Sequence, residues 1–276
     1  MPSNREAYFE ALKLDIPKSI IEFALKEVNG FSNLELTKNF DEEIKDYPFF
    51  KNAINRYIDG EMIEYVFNKS YFLSTPFFVN KDVLIPRQET EQLVLKTIEI
   101  IEDMFGDKVI NVADVCTGSG CIGISIAKAL PNNNYFLTDI SKEALRVAKN
   151  NTILCPEANV ECLQGDMLNP LKQTKLDVLV CNPPYISNIS DIDEKTWKQE
   201  PHLALLAEPA TRYYEKVLQD CSLLMNSKYL LAFEIGEDME EELTKLIDKY
   251  LPDTTHFFEK DMYGKTRFLF IKQESV

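Results

Sequence analysis

From Gln92 onward, short apolar runs alternate with stretches whose apolar residues return every three or four positions, the pattern of strands and helices built around a largely parallel sheet. Val109 to Val115 reads as a buried strand, and Cys116-Thr117-Gly118-Ser119-Gly120 turns it into an apolar helix from Cys121 to Leu130. Further strands are predicted at Tyr135 to Asp139, Asn159 to Gln164, Leu176 to Cys181 and Leu230 to Ile235. His256 to Glu259 and Arg267 to Ile271, linked through Tyr263-Gly264, predict a terminal antiparallel pair added to that sheet. The fold class is therefore α/β, a doubly wound, mostly parallel sheet with a terminal antiparallel pair. Before it, residues 3 to about 68 carry helical periodicity, for instance at Ile20, Ile21, Phe23, Ala24 and Val28, with Pro17 suited to a first turn and Asn29-Gly30 to a stop. A small helical bundle is expected there. Tyr71-Phe72-Leu73 and Phe77-Phe78-Val79, joined across Ser74-Thr75-Pro76, predict a short hairpin whose aromatic residues pack between the two domains. The expected division is a helical domain at 1–69, a hairpin linker at 70–86 and the α/β domain at 87–276.

At 276 residues and 45% hydrophobic content, the chain is long enough for one such domain and a small companion. No apolar stretch approaches the roughly twenty residues that span a bilayer, and Met1-Pro2-Ser3-Asn4-Arg5 opens no signal-peptide pattern. Six cysteines and two histidines, with no Cys-x-x-Cys pair, imply no metal site, and free cysteines within buried strands fit a reducing cytoplasm. Thirty basic against forty-five acidic residues leave a net charge of −15 without a basic cluster. Proteins that grip nucleic acid usually display basic patches to neutralise phosphates, so no stable nucleic-acid binding is expected.

The glycine turn after the first strand lets backbone approach a ligand closely, and the helix that follows offers unpaired N–H groups. Asp139, at the end of the second strand and about twenty residues beyond the turn, is placed to bind ribose hydroxyls. A nucleoside is implied, and these two features alone suit a nicotinamide or flavin dinucleotide equally well, with a third glycine at the dinucleotide spacing expected to be missing. Gly165-Asp166-Met167 after the third strand and Asn182-Pro183-Pro184-Tyr185 after the fourth shift the balance to S-adenosylmethionine. Asp166 is then expected to accept from an adenine amino group and Met167 to pack against the ring. The competing roles for Asp139 and Asp166 are caps of the helix or turn that follows.

The Asn182–Tyr185 tetrapeptide carries the chemistry. Two consecutive prolines fix two φ angles, remove two backbone donors and bias Asn182 toward an extended conformation, so the turn presents acceptors in a set geometry. A primary amide nitrogen is a poor nucleophile because its lone pair is delocalised into the carbonyl. The Asn182 side-chain oxygen and the Pro183 carbonyl can each accept one N–H, aiming that nitrogen and favouring the positive charge that builds on it during methylation. Tyr185 offers a flat face against a planar amide or base. The plain alternative is an ordinary strand-ending turn, for which Asn-Pro is a common signal.

With the motifs in this order, the chain resembles a class I S-adenosylmethionine-dependent methyltransferase, and specifically the glutamine N5-methyltransferases of peptide chain release factors. The likeness includes Gly60 to Tyr65, Val83-Leu84-Ile85-Pro86-Arg87-Gln88-Glu89-Thr90-Glu91, Glu200 to Leu205, Glu234-Ile235-Gly236 and Asp261 to Arg267, and spans roughly residues 56 to 272. The resemblance implies cofactor contacts from Cys116, Thr117, Gly118, Ser119 and Gly120, and from Asp139, Met167 and Asn182. Substrate glutamine contacts fall on Asn182, Pro183, Pro184 and Tyr185. Asp114 takes the place of the first motif's acidic residue, near the methionine part of the cofactor or ordering the loop. Cys116 stands where many relatives have glycine; a positive φ there would cost a residue with a β-carbon about 1–2 kcal/mol. Met62 replaces a usual proline, and Ala207 to Ala210 a glycine-rich stretch.

The expected activity is methylation of a release-factor glutamine by a cytoplasmic monomer, with the helical domain holding the protein substrate. A related family modifies a glutamine of a large-subunit ribosomal protein and shares the Asn-Pro-Pro-Tyr turn. Thr90-Glu91 after Pro86-Arg87 resembles the release-factor type. Adenine-N6 methylation of nucleic acid and a non-catalytic docking protein with an inherited pocket are the other readings.

Overall fold

The structure, a computed structural model, describes residues 1–274. The chain divides into two compact units at the boundary between Lys69 and Ser70.

The first unit holds five helices, α1 (Asn4–Leu12), α2 (Lys18–Asn29), α3 (Asn33–Lys38), α4 (Tyr47–Ile58) and α5 (Ile63–Phe67). Their starts follow from local chemistry. Ser3 and Ser32 cap α1 and α3, each paired reciprocally with a glutamate three residues on. Helix α2 stops at Gly30, which takes the left-handed conformation at φ 74. Ile21, Leu25, Phe50 and Ile54 lie in its core.

A hairpin of β1 (Lys69–Phe72), whose first residue closes the first unit, and β2 (Thr75–Phe78) opens the second. The turn is Leu73-Ser74, both at positive φ (47° and 58°), and not the Ser74-Thr75-Pro76 expected from the sequence. A two-residue turn of this kind matches the twist of the flanking strands. Pro76 lies inside β2, which pairs only with β1 and so leaves an edge where a missing N–H costs nothing. The aromatic residues part company: Phe72 and Phe77 are fully buried in the core of this unit, while Tyr71 and Phe78 face outward.

Helix α6 (Gln88–Phe105) leads into a seven-stranded sheet ordered β5-β4-β3-β6-β7-β9-β8. Its strands are β3 (Asn111–Val115), β4 (Asn134–Asp139), β5 (Asn159–Gln164), β6 (Leu176–Cys181), β7 (Met225–Glu234), β8 (Thr255–Lys260) and β9 (Thr266–Gln273). The first five run parallel, and β9 inserts antiparallel between β7 and β8. Helices α7 (Cys121–Ala129), α8 (Lys142–Asn151), α9 (Glu194–Gln199), α10 (Arg212–Leu224) and α11 (Glu240–Tyr250) complete the unit. Every residue of β6 is buried, as a central parallel strand covered on both faces requires. Separate apolar clusters form on the two faces, one with α6 and α7, the other with α10 and α11. The doubly wound sheet with its terminal antiparallel pair is thus present.

Candidate functional site

The strand order places β3 and β6 side by side although β4 and β5 intervene in the chain, so the direction of winding reverses between them. Ligands of open α/β sheets bind outside the carboxyl ends of the strands at such a point. Val115 registers with Cys181, which brings Cys116 and Asn182 out of the sheet as neighbours.

The loop after β3 is made by backbone. Cys116, Gly118 and Gly120 all sit in the left-handed region, at φ 61, 54 and 81. A β-carbon on Gly120 would lie 2.7 Å from Ile124 Cδ1 and 3.2 Å from Leu137 Cδ2, so glycine is required there for space as well as for φ. Gly118 differs: a β-carbon there meets nothing, and the residue lines a cavity. Its bareness leaves that space to a ligand. Asp114 stands behind the loop, its Oδ2 accepting from Thr117 Oγ1 at 2.6 Å and from the Gly123 amide at 2.9 Å. Its Oδ1 is buried without a partner, and burial pushes the carboxyl up to about 7 against those two bonds. Asp114 and Gly120 therefore order the loop and do not themselves line the cavity, whereas Cys116, Thr117, Gly118 and Ser119 do. Gly123 completes a Gly-x-Gly-x-x-Gly spacing with Gly118 and Gly120, so the third glycine expected to be missing is present. Its missing side chain lets α7 approach β3, where a β-carbon would lie 2.9 Å from Asp114 Cβ.

Asp139 lines the same cavity. It accepts from the Gly118 amide at 3.0 Å and the Ser141 amide at 2.9 Å, and burial raises its pKa against these bonds. The cap of α8 is Ser141, whose hydroxyl accepts from the Ala144 amide, so Asp139 keeps lone pairs for a ligand. Met167 reaches the cavity at φ 51 with its sulfur 3.7 Å from Cys116 Sγ. Asp166 lines it too, half-exposed and hydrogen-bonded to the Lys216 ammonium.

The turn after β6 divides two cavities. Asn182 and Pro184 border the one just described, and Asn182, Pro183, Pro184 and Tyr185 all border a second, together with Arg87 and Glu234. Cys181 registers with Phe233, so Glu234 leaves β7 next to Asn182. The Glu234 carboxylate is buried and accepts from the Tyr185 hydroxyl at 3.2 Å and the Thr90 hydroxyl at 2.6 Å. Burial raises the pKa of both Glu234 and Tyr185, the Thr90 bond opposing it at Glu234.

Thr90 and Glu234 are site residues that sequence reasoning quoted only as pieces of signatures. The other signature residues turn out to brace this region. Buried Glu200 accepts from the Arg87 guanidinium at 2.5 Å and the Ile85 amide at 3.2 Å. Glu91 accepts from the Leu73 amide at 2.8 Å and fixes the hairpin turn. Arg267 donates to the Ile235 carbonyl at 3.1 Å and lies 3.4 Å from Asp261. Among the described residues, no cluster of three or more histidine, cysteine, aspartate or glutamate side chains could hold a metal ion, all six cysteines are free, and no helix is long and apolar enough to cross a membrane.

Residues 92–199 match the family model described as "Methyltransferase small domain". The chain is 34% identical over 266 residues to the release factor glutamine methyltransferase of Bacillus cereus, covering 92% of each chain. It is 36% identical over 254 residues to the enzyme of the same name from Bacillus subtilis, covering 89% of this chain and 88% of that one. Among solved structures, a ribosomal protein L11 methylase from Lactobacillus delbrueckii subsp. bulgaricus aligns with a TM-score of 0.52 at 20% identity, over 71% of this chain and 84% of that chain; at that identity the likeness concerns the fold.

Proposed function

The chain belongs to the release factor glutamine methyltransferase family, and we propose that it transfers a methyl group from S-adenosylmethionine to the side-chain amide nitrogen of a glutamine in a peptide chain release factor. The observation that carries this reading is the Asn182–Tyr185 turn, standing as the shared wall of two cavities, one of which has nucleoside-binding chemistry.

The residues of that cavity fit the donor. Asp139 has unused carboxylate lone pairs for ribose hydroxyls, and Gly118 leaves open the space a side chain would fill. Cys116, Thr117 and Ser119 line the approach, and Asp114 and Gly120 hold the loop that carries them. Met167 offers an apolar surface to the adenine, and Asp166, with Lys216 beside it, an acceptor. When bound, the donor supplies an electrophilic methyl group on a sulfonium.

On the other side of the turn, Asn182 Oδ1 and the Pro183 carbonyl take the two hydrogens of the substrate carboxamide. That holds its nitrogen lone pair toward the donor cavity and counters the positive charge forming on nitrogen. The Tyr185 ring confines the carboxamide plane, its hydroxyl tethered to Glu234. Once alkylated, the nitrogen is acidic and gives up one proton through the Pro183 carbonyl side to water. Residues 1–69 help to hold the protein substrate, and the enzyme acts as a cytoplasmic monomer. The net charge of −15 favours a protein over a nucleic-acid substrate.

Purified protein incubated with radiolabelled donor and unmodified release factor should place label on a glutamine. Label on another residue, on ribosomal protein or on nucleic acid, or none at all, overturns the proposal.

A further inference from the structure

The Asn182 carboxamide is useful only in one of its two orientations. With Oδ1 toward the substrate it accepts an N–H; turned over, it presents a donor to a donor. Nothing in the Asn-Pro-Pro-Tyr sequence chooses between them.

Three chain segments meet behind Asn182. Thr90, in the first turn of α6, is 2% exposed, and Glu234, the last residue of β7, is 3% exposed. The Thr90 hydroxyl has a single proton, and it lies 2.6 Å from Glu234 Oε2. A hydroxyl that gives its proton to a carboxylate has only lone pairs left to offer. Asn182 Nδ2 lies 3.5 Å from that same oxygen. The polarity of the chain then runs one way: amide N–H to hydroxyl oxygen, hydroxyl proton to carboxylate. The second carboxylate oxygen, Oε1, takes the Tyr185 hydroxyl at 3.2 Å. Gly236 lets the Tyr185 ring lie against bare backbone, since a β-carbon there would come within 3.2 Å of Tyr185 Cδ2 and 3.0 Å of Met239 Sδ. One buried carboxylate thus governs both polar members of the turn.

We infer that Thr90 and Glu234 are positioning residues that set the Asn182 carboxamide with its oxygen toward the substrate, and that this is the chemical reason for a threonine at 90 and a glutamate at 234. The inference rests on the assignment of Asn182 as an acceptor for the substrate amide. Neither residue needs to touch the reacting atoms. Their effect passes through Asn182, and that gives it a signature that a merely structural role lacks.

The test compares Thr90→Val, which keeps the shape of the side chain and removes the hydroxyl, with Thr90→Ser, which restores it, each with and without Asn182→Ala. Methyl transfer to unmodified release factor gives kcat and KM, and calorimetric titration gives donor affinity. Thr90→Val should lower kcat by about 10- to 100-fold, the range of a misplaced reacting group, with KM and donor affinity near wild type. Thr90→Ser should retain most of the turnover. In the Asn182→Ala background Thr90→Val should add no further loss. The inference fails if Thr90→Val turns over like wild type, if its loss persists in full without Asn182, or if donor binding falls in step with kcat. Should Thr90→Val not fold, Thr90→Ala read against the same Asn182→Ala background decides the matter by the same criteria. A wild-type protein that labels no release-factor glutamine would strike the proposed function instead, before any variant is compared.

Discussion

The two walls of the site are built in opposite ways. The donor side is built chiefly from the stretch Asp114 to Asp139, with Asp166 and Met167 added from the loop after β5, and works mainly through backbone held at positive φ and packed on bare glycines. The acceptor side draws Asn182, Tyr185 and Glu234, with Thr90, which also borders the donor cavity, from three distant segments and works through side-chain hydrogen bonds to one buried carboxylate. The first is a matter of shape and the second of polarity. Damage to the donor side should therefore register in stability and donor affinity, and damage to the acceptor side in turnover.

The largest test of that division is Asn182→Ala. It removes an acceptor aimed at developing charge, and such losses cost about 10²- to 10³-fold in kcat. Donor affinity should change only a few-fold, as measured by titration of the folded variant. If the donor ceased to bind instead, the two walls would not be separable at Asn182.

Asp139→Asn tests the other wall. It keeps the shape and an acceptor but removes the charge, and a charge-assisted hydrogen bond is worth about 1.5–3 kcal/mol, or roughly 10- to 100-fold in donor affinity. KM for the release factor should stay near wild type. An unchanged donor Kd would remove Asp139 from the ribose site and return it to its bonds with Gly118 and Ser141.

How much of each wall was legible in the sequence follows from the same contrast. The donor side could be read because glycines, an apolar strand and an acidic strand end lie in one short window. The strands at Asn159–Gln164 and Leu176–Cys181 have the bounds the pattern predicts, since each is a compact run closed by Gly165 or by Asn182-Pro183. Strand β7 begins at Met225, five residues before the expected Leu230, because Asn226-Ser227-Lys228 hides the pairing in a polar stretch. The hairpin turn was misplaced for a related reason: nothing about Leu73 announces a positive φ, while Ser74-Thr75-Pro76 has the composition of a turn. The acceptor side showed only its tetrapeptide. Thr90 and Glu234 are 144 residues apart, and no local pattern can report a hydrogen bond across that separation.

Asp114 offers a pH test of the donor wall. Its carboxyl is raised from 3.8 to about 7 in the fold, chiefly by burial, so the folded state holds its proton more tightly than the unfolded chain does. Stability should then fall as pH rises from about 4 to about 7, by up to roughly 1.4 kcal/mol per pH unit from this group, and level off above that. Asp114→Asn keeps an oxygen for Thr117 and Gly123 and cannot ionise. Denaturant unfolding from pH 5 to 8 should show a flatter profile for the variant, with its advantage over wild type greatest at pH 8. Parallel profiles would mean that Asp114 stays charged in the folded loop.

The smallest expected effect separates the walls most finely. Cys116 holds φ 61 on the donor side, whereas none of Asn182, Pro183, Pro184 and Tyr185 has a positive φ. A β-carbon in that region costs about 1–2 kcal/mol. Cys116→Gly relieves this strain but frees the unfolded chain, which takes back roughly 0.4–1 kcal/mol, and it also gives up the contact with the Met167 sulfur. The balance should be a gain of no more than about 1.5 kcal/mol, visible as a rise of about 3–6 °C in Tm at most for a unit of this size. Turnover at saturating donor should not change, because the Asn182 acceptor and its support from Thr90 and Glu234 are untouched. A Cys116→Gly variant that is less stable than wild type would mean that the sulfur contact outweighs the strain, and that side-chain packing, not backbone shape alone, holds the donor loop.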